Sequence, residues 1–187
     1  MKASRHHGAD HERPADGQLY TPAQRARRDA TVWTLVQGVL APVQFLVFAV
    51  SLALVIRYLA TGEGYLAATL SILIKTGVLY TIMVTGAIWE KVVFGQYLLA
   101  PAFFWEDVVS FGVIALHTLY VYAVLFAQWG PTAEMWIALA AYAAYVVNAV
   151  QFVWKLRQAR LSAERADAEA AAAAAQAPQA QATELPA

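Results

Sequence analysis

Apolar residues run almost unbroken through four stretches of this chain, and polar residues interrupt them at only a few positions. The runs are Trp33 to Leu59, Tyr65 to Trp89, Phe103 to Phe126 and Met135 to Trp154. Each is long enough to span a bilayer, since about 20 helical residues cross a ~30 Å hydrocarbon core. The pattern predicts an all-α fold, an integral membrane four-helix bundle. Three short breaks turn the chain back: Gly62-Glu63-Gly64, the loop from about Phe94 to Pro101, and Gln128 to Glu134 with Gly130-Pro131. Outside the runs the periodicity disappears. Residues 1–20 are expected to be a disordered N-terminal tail, 21–161 the membrane domain, and 162–187 an Ala/Gln-rich C-terminal tail whose first part can continue as helix.

Within the spans the polar positions are patterned. Gln37, Gln44 and Ser51 recur every seven residues, one inward stripe of the first helix. Pro42 lacks a backbone donor and predicts a kink there. Lys75 lies mid-span in the second helix, where Gly77 and Gly86 permit close contact. His117 lies in the third, and Tyr145, Asn148 and Gln151 line the fourth.

Composition supports lipid as the solvent. The 187 residues are 60% hydrophobic and 14% charged, with a mean hydropathy of +0.48, against about half and a quarter for soluble domains. A formal net charge of zero argues against nucleic-acid binding. The absence of cysteine excludes thiolate chemistry, zinc-thiolate sites and disulfides. The polar N-terminus lacks the apolar core of a cleaved signal peptide, and its His6, His7 and His11 are expected to sit in a solvated tail rather than to hold a metal.

Lysine and arginine set the orientation. Arg25, Arg27, Arg28, Lys91, Lys155, Arg157, Arg160 and Arg165 collect on one side, and Arg57 falls on the other. Both termini and the loop after the second span are therefore expected in the cytoplasm. Trp33, Trp89, Trp105 and Trp154 mark the same rim, with Trp129 and Trp136 at the far one.

Ile88 to Ser110 is the unusual stretch. It places Glu90, Lys91, Glu106 and Asp107 between apolar runs and reads Trp-Glu-x-Val-Val twice. Charges so placed are costly and usually functional. Counted from their rims, Lys75 and His117 share a layer roughly 20 Å deep. Glu106 and His117 fall on one face of their helix, and Lys75 and Glu90 about 60° apart on theirs. Each residue also has a plainer reading: Lys75 in an ion pair, His117 as packing, Lys91 and Asp107 as interfacial charges, and Gln44, Asn148 and Gln151 as interhelical links.

Four strings carry a resemblance: LYTPAQRARRDATVWTLVQGVLAP, RYLATGEGYLAAT, YTIMVTGAIWEKVVFGQYLLAPAFFWEDVVS and VVNAVQFVWKLRQARL. Over about residues 18–161 they resemble the 3-vinyl bacteriochlorophyllide hydratase family, also called chlorophyllide 3-vinyl hydratases. The resemblance implies hydration of the 3-vinyl group of chlorophyllide a or bacteriochlorophyllide a to a 1-hydroxyethyl group, a lyase reaction of bacteriochlorophyll biosynthesis. It implies no redox cofactor, magnesium carried by the substrate, a multi-pass protein of the bacterial inner (photosynthetic, intracytoplasmic) membrane, and other enzymes of the pathway as partners.

The chemistry assigns roles. Hydration of a vinyl group needs an acid for the terminal carbon, a base or positioned water, and shelter from solvent. Glu90 and Glu106, one from each arm of a helical hairpin, are expected to be acid and base. Asp107, about 100° around the helix from Glu106, is expected as support or substitute. His117 is the candidate ligand for the substrate magnesium. Lys91 or Arg28 is placed to meet the pigment propionate, while Lys75, Gln37, Asn148 and Gln151 line the cavity. The competing expectation is a non-catalytic pigment- or quinone-binding membrane subunit.

Overall fold

The computed structural model describes residues 18–183, so the expectations for residues 1–17 and 184–187 lie outside it. Among the described residues are five α-helices and no strand: α1 (Pro22–Ala30), α2 (Val32–Thr61), α3 (Tyr65–Phe94), α4 (Phe104–Tyr122) and α5 (Pro131–Thr183). α2, α3, α4 with its π-helical end at Ala123–Ala127, and the Pro131–Glu169 part of α5 are long and apolar enough to cross a membrane. The chain is a multi-pass membrane protein. Its exposed Leu35, Phe45, Leu46, Leu66 and Ile74 face outward from the bundle, as lipid-facing side chains do.

α1 stands where the sequence showed only a basic collar. Its start is a capping box: the Gln24 amide donates to Thr21 Oγ1 at 3.2 Å, and the Thr21 amide to Gln24 Oε1 at 2.9 Å. Pro22 fills the first helical position, where no donor is needed. Thr31 then ends α1 and caps α2 in turn.

The turns use left-handed backbone where glycine is available. Gly62 and Gly64 have φ of 73° and 85°, and Gly95 ends α3 at 87°. α2 runs through Pro42 as one helix. α5 continues well past Ser162 because its alanine-rich sequence is the strongest helix former available.

Two antiparallel hairpins, α2 with α3 and α4 with α5, make the bundle, and α2 also meets α5. Phe48, Val55, Ile72, Leu79, Val113, Met135 and Tyr142 form its core. α3 and α4 approach less closely and are bridged by side chains instead, among them Tyr80 to Thr118 at 2.8 Å. At one end α1 lies across α3. Tyr20 stacks on Phe94 with ring centroids 5.7 Å apart, and Arg27 Nε donates to the Val93 carbonyl at 3.1 Å. Tyr20, Val93 and Phe103 are buried there beneath Trp89, Phe94 and Phe152. Burial also holds the Tyr20 hydroxyl above its ordinary range, against the pull of Arg28. This aromatic roof covers the site.

Candidate active site

The last turns of α3 and the first turn of α4 carry three carboxyl side chains into one small volume. Glu90, Glu106 and Asp107 are 5%, 7% and 3% exposed, so water does little to screen them. Glu90 and Asp107 lie side by side, since the amides of two consecutive loop residues, Leu99 and Ala100, each reach one of the two carboxyls.

The loop after α3 closes over that pair. The Leu99 amide donates to Asp107 Oδ2 at 2.7 Å, and the Ala100 amide to Glu90 Oε2 at 3.3 Å. Leu99 adopts φ 59°, a conformation costing a non-glycine residue about 1–2 kcal/mol. Strain of this kind persists where surrounding contacts impose it, here an amide held against a buried carboxylate. Leu99→Gly keeps the amide and removes the strain, and is expected to retain activity. Leu99→Pro deletes the donor and forbids the backbone angle. It is expected to lower turnover on the order of tenfold or more, the scale of one hydrogen bond to a charged group. Initial rates of the two variants at equal membrane insertion check this; equal rates would remove the loop from the site.

Glu106 turns the other way. Its Oε2 lies 2.6 Å from Lys155 Nζ, with side chains 9% and 25% exposed, and Lys155 sits 5.3 Å from the Phe103 ring. Glu90 and Glu106 were expected to work together; the structure gives Glu106 a partner in Lys155 and sets Glu90 beside Asp107 under the loop amides. The ~100° divergence between the two adjacent acids holds. The first turn of α4 lies between α3 and α5, and the divergence aims Asp107 at α3 and Glu106 at α5. Lys155 was read from the sequence only as a flanking charge. A signal existed, because Glu106 and Lys155 each directly follow a rim tryptophan, Trp105 and Trp154.

Asn148 joins this layer as expected. Its Nδ2 donates to the Glu106 carbonyl at 2.9 Å and to Ser110 Oγ at 3.0 Å. Gln151 is half-buried on the same helix, its Oε1 without a protein partner. Gln37 does not join. Its Nε2 donates to Thr85 Oγ1 at 2.8 Å, tying α2 to α3 beside a shallow groove of about 430 Å³ lined by Leu35, Val36, Val39, Leu40, Thr81 and Thr85. Lys91 donates to the Gly95 carbonyl at 2.7 Å, and Arg28 pairs with Asp29 at 2.7 Å while lying 4.8 Å from the Tyr20 ring. Both remain at the rim, outside the buried cluster.

Deeper in the bundle, Lys75 and His117 share a layer as the sequence predicts, with Nζ and Nε2 2.7 Å apart. Lys75 Nζ also sits 4.1 Å from the Tyr145 ring centroid. The 2.8 Å contact from His117 Nδ1 to the Val113 carbonyl requires a donor there, which in the neutral ring leaves Nε2 to accept from Lys75. His117 is 0% exposed with both ring nitrogens engaged. The expectation that it ligates the substrate magnesium does not fit this geometry, because a metal-binding imidazole needs a free lone pair facing the metal, and Lys75 and Val113 engage both nitrogens. One layer further, Ser51 meets Ser71 at 2.7 Å and Tyr142 at 2.5 Å. These groups tie all four spanning helices together.

The site thus combines two neighbouring buried carboxyls, an adjacent ion pair and an aromatic roof. That set can donate a proton to carbon and take one back from water. Comparison with known proteins bears on which substrate it serves. The family model described as 2-vinyl bacteriochlorophyllide hydratase matches residues 20–158. A protein of that name from Cereibacter sphaeroides is 75% identical over 149 residues, covering 80% of this chain and 92% of that one. Another from Rhodobacter capsulatus is 71% identical over 156 residues, covering 83% and 91%. No solved structure matches the chain.

Proposed function

Because the chain belongs to the 2-vinyl bacteriochlorophyllide hydratase family, we propose that the buried Glu90–Asp107 pair is the acid–base centre for adding water to the vinyl group of a bacteriochlorophyllide. The family name counts that substituent as position 2, where the other numbering of the macrocycle counts 3. The enzyme is a hydro-lyase of bacteriochlorophyll biosynthesis. The observation that supports the mechanism is the pair of buried carboxyls closed off by two consecutive loop amides; two carboxylates so close and so little hydrated repel, which favours one proton shared between them.

Helix ends divide the labour. Asp107 lies in the first turn of α4, where the helix dipole favours an anion, and it takes the shorter amide bond. Glu90 lies one turn from the end of α3, where the dipole disfavours one. Glu90 therefore carries the proton and Asp107 the charge. The vinyl π pair takes the Glu90 proton at the terminal carbon, leaving a cation at the inner carbon that the macrocycle delocalises. A water oxygen bonds to the inner carbon and releases its proton to the carboxylates, which restores the shared proton. The Glu106–Lys155 pair supplies a fixed field beside them. Exposed Tyr97, Phe104 and Trp105 surround the loop that covers the carboxyls and offer a flat apolar pigment a seat at the membrane interface. The vinyl group then reaches the pair when the 95–103 loop lifts.

Purified protein incubated with vinyl-bearing bacteriochlorophyllide in ¹⁸O-labelled water is the direct test. The expected result is a product heavier by one labelled water; bound but unchanged pigment would identify a carrier and overturn this reading. A chlorophyllide arm of the same experiment reads the pigment preference.

We further propose that both ends of the four-span bundle face the cytoplasm, which the flanking lysines and arginines favour, and that the membrane is a photosynthetic inner membrane, which the family's pathway favours. Reporter fusions after Gly62 and Pro131 are expected to read non-cytoplasmic. A cytoplasmic signal at either position would break the assignment.

A further inference from the structure

Among the described residues, Gln44 is a buried amide with no hydrogen-bond partner on either atom. It is 2% exposed, and neither Oε1 nor Nε2 makes a hydrogen bond to another described residue. A buried unpaired polar group is costly, and in lipid no bulk water relieves it. Its depth follows from two contacts across the α2–α5 seam. Ser51 bonds Tyr142, and one turn nearer the carboxyls Phe48 meets the Tyr145 ring at 4.9 Å. The helices are antiparallel, so Gln44, four residues further along α2, lies level with Ala149, beside Asn148.

That layer already holds polar groups from two other elements. Ser110 and Asn148 bond to each other, and both donate to the Glu106 carbonyl, at 2.8 and 2.9 Å. Gln151, one turn nearer the rim, has its Oε1 buried and unpartnered. Ser110 is three residues from Asp107 on the same face of α4, a rise of about 4.5 Å. Unpartnered amide atoms, polar neighbours on facing helices and nearby carboxyls together describe a site for water, which needs two to four polar partners.

We propose that Gln44, Gln151 and the Ser110–Asn148 pair bind internal water beneath the Glu90–Asp107 carboxyls, and that this water is the one added to the vinyl group. The inference rests on the hydratase reading above and extends it. Water arrives from the membrane side of the carboxyls while the pigment arrives from the interface, so the two reactants do not compete for one path. The bond formed is between this water's oxygen and the inner vinyl carbon; its proton returns to the carboxyl pair.

X-ray radiolytic footprinting of the full-length protein in lipid nanodiscs tests the water directly, because radicals formed from bound water oxidise the side chains next to it. Phe48 and Tyr145, buried beside this layer, are expected to be oxidised in the wild type and several-fold less in Gln44→Met, a change of similar size. Turnover of Gln44→Met is expected to fall on the order of tenfold with the pigment KM little changed, and Gln44→Asn to recover part of it. No oxidation of Phe48 and Tyr145 in the wild type would overturn the water site without recourse to any variant. Oxidation lost in Gln44→Met with turnover intact would overturn the water's role as reactant. Wild-type protein that never hydrates pigment would instead overturn the hydratase reading and the reactant role together, and the footprint would still decide the water site by itself.

Discussion

Glu90→Gln is expected to lower turnover by about 100-fold or more, the usual scale for loss of a general acid, while the pigment still binds. Glutamine keeps the size of the side chain and can still accept from the Ala100 amide. What it lacks is the transferable proton. Asp107→Asn is expected to do comparable damage for a different reason: it removes the charge that accepts the proton, and its amide group competes with the Leu99 amide held at 2.7 Å. Glu106→Gln is expected to be milder, because Glu106 pairs with Lys155. The order of the three distinguishes the pairing seen in the structure from the one the sequence suggested. Turnover abolished by Glu106→Gln but preserved in Asp107→Asn would place the acid–base pair elsewhere. Single-turnover rates with saturating pigment separate the chemical step from binding.

The second large effect concerns stability. Lys155→Met is expected to destabilise the bundle by about 3 kcal/mol, the lower end for breaking a buried ion pair, since Lys155 keeps a quarter of its side chain exposed. The cost arises because Glu106, 9% exposed in its side chain, is left as a buried charge with no cation. Lys155→Met combined with Glu106→Gln removes both charges and is expected to recover most of that loss. Unfolding in a graded detergent series measures all three proteins; a Lys155→Met protein as stable as the wild type would show that the pair contributes nothing. The double variant also reads function, since it leaves Glu90 and Asp107 in place but without their neighbouring field.

Much of this protein is written in one dimension. Four apolar runs separated by glycine turns specify four spans, because lipid leaves a helix as the way for a single segment to satisfy its backbone. Depth was legible as well: antiparallel helices count down residue by residue, which is why Lys75 and His117 were expected in one layer and lie 2.7 Å apart. The carboxylate cluster was legible from its cost, and the family from the WEKVVFG…FFWED stretch. α1 is also encoded, in the Thr21-Pro22-Ala23-Gln24 box, although the arginines behind it read first as a basic membrane flank.

What the tertiary structure decided was which neighbour each face meets. Helical angles showed that Glu106 and Asp107 diverge, but assigning one to α3 and the other to α5 depends on how the two hairpins dock, which local periodicity does not encode. The same docking engages both nitrogens of His117, leaves the Gln44 amide without a protein partner, and brings Lys155 to Glu106 across 49 residues of chain. The loop amides of Leu99 and Ala100 are the extreme case, since a main-chain donor has no signature in side-chain pattern. Sequence set the spans and their depths because lipid solvation and helix rise act on each segment separately; rotation and partner choice depend on side-chain packing among all four spanning helices at once.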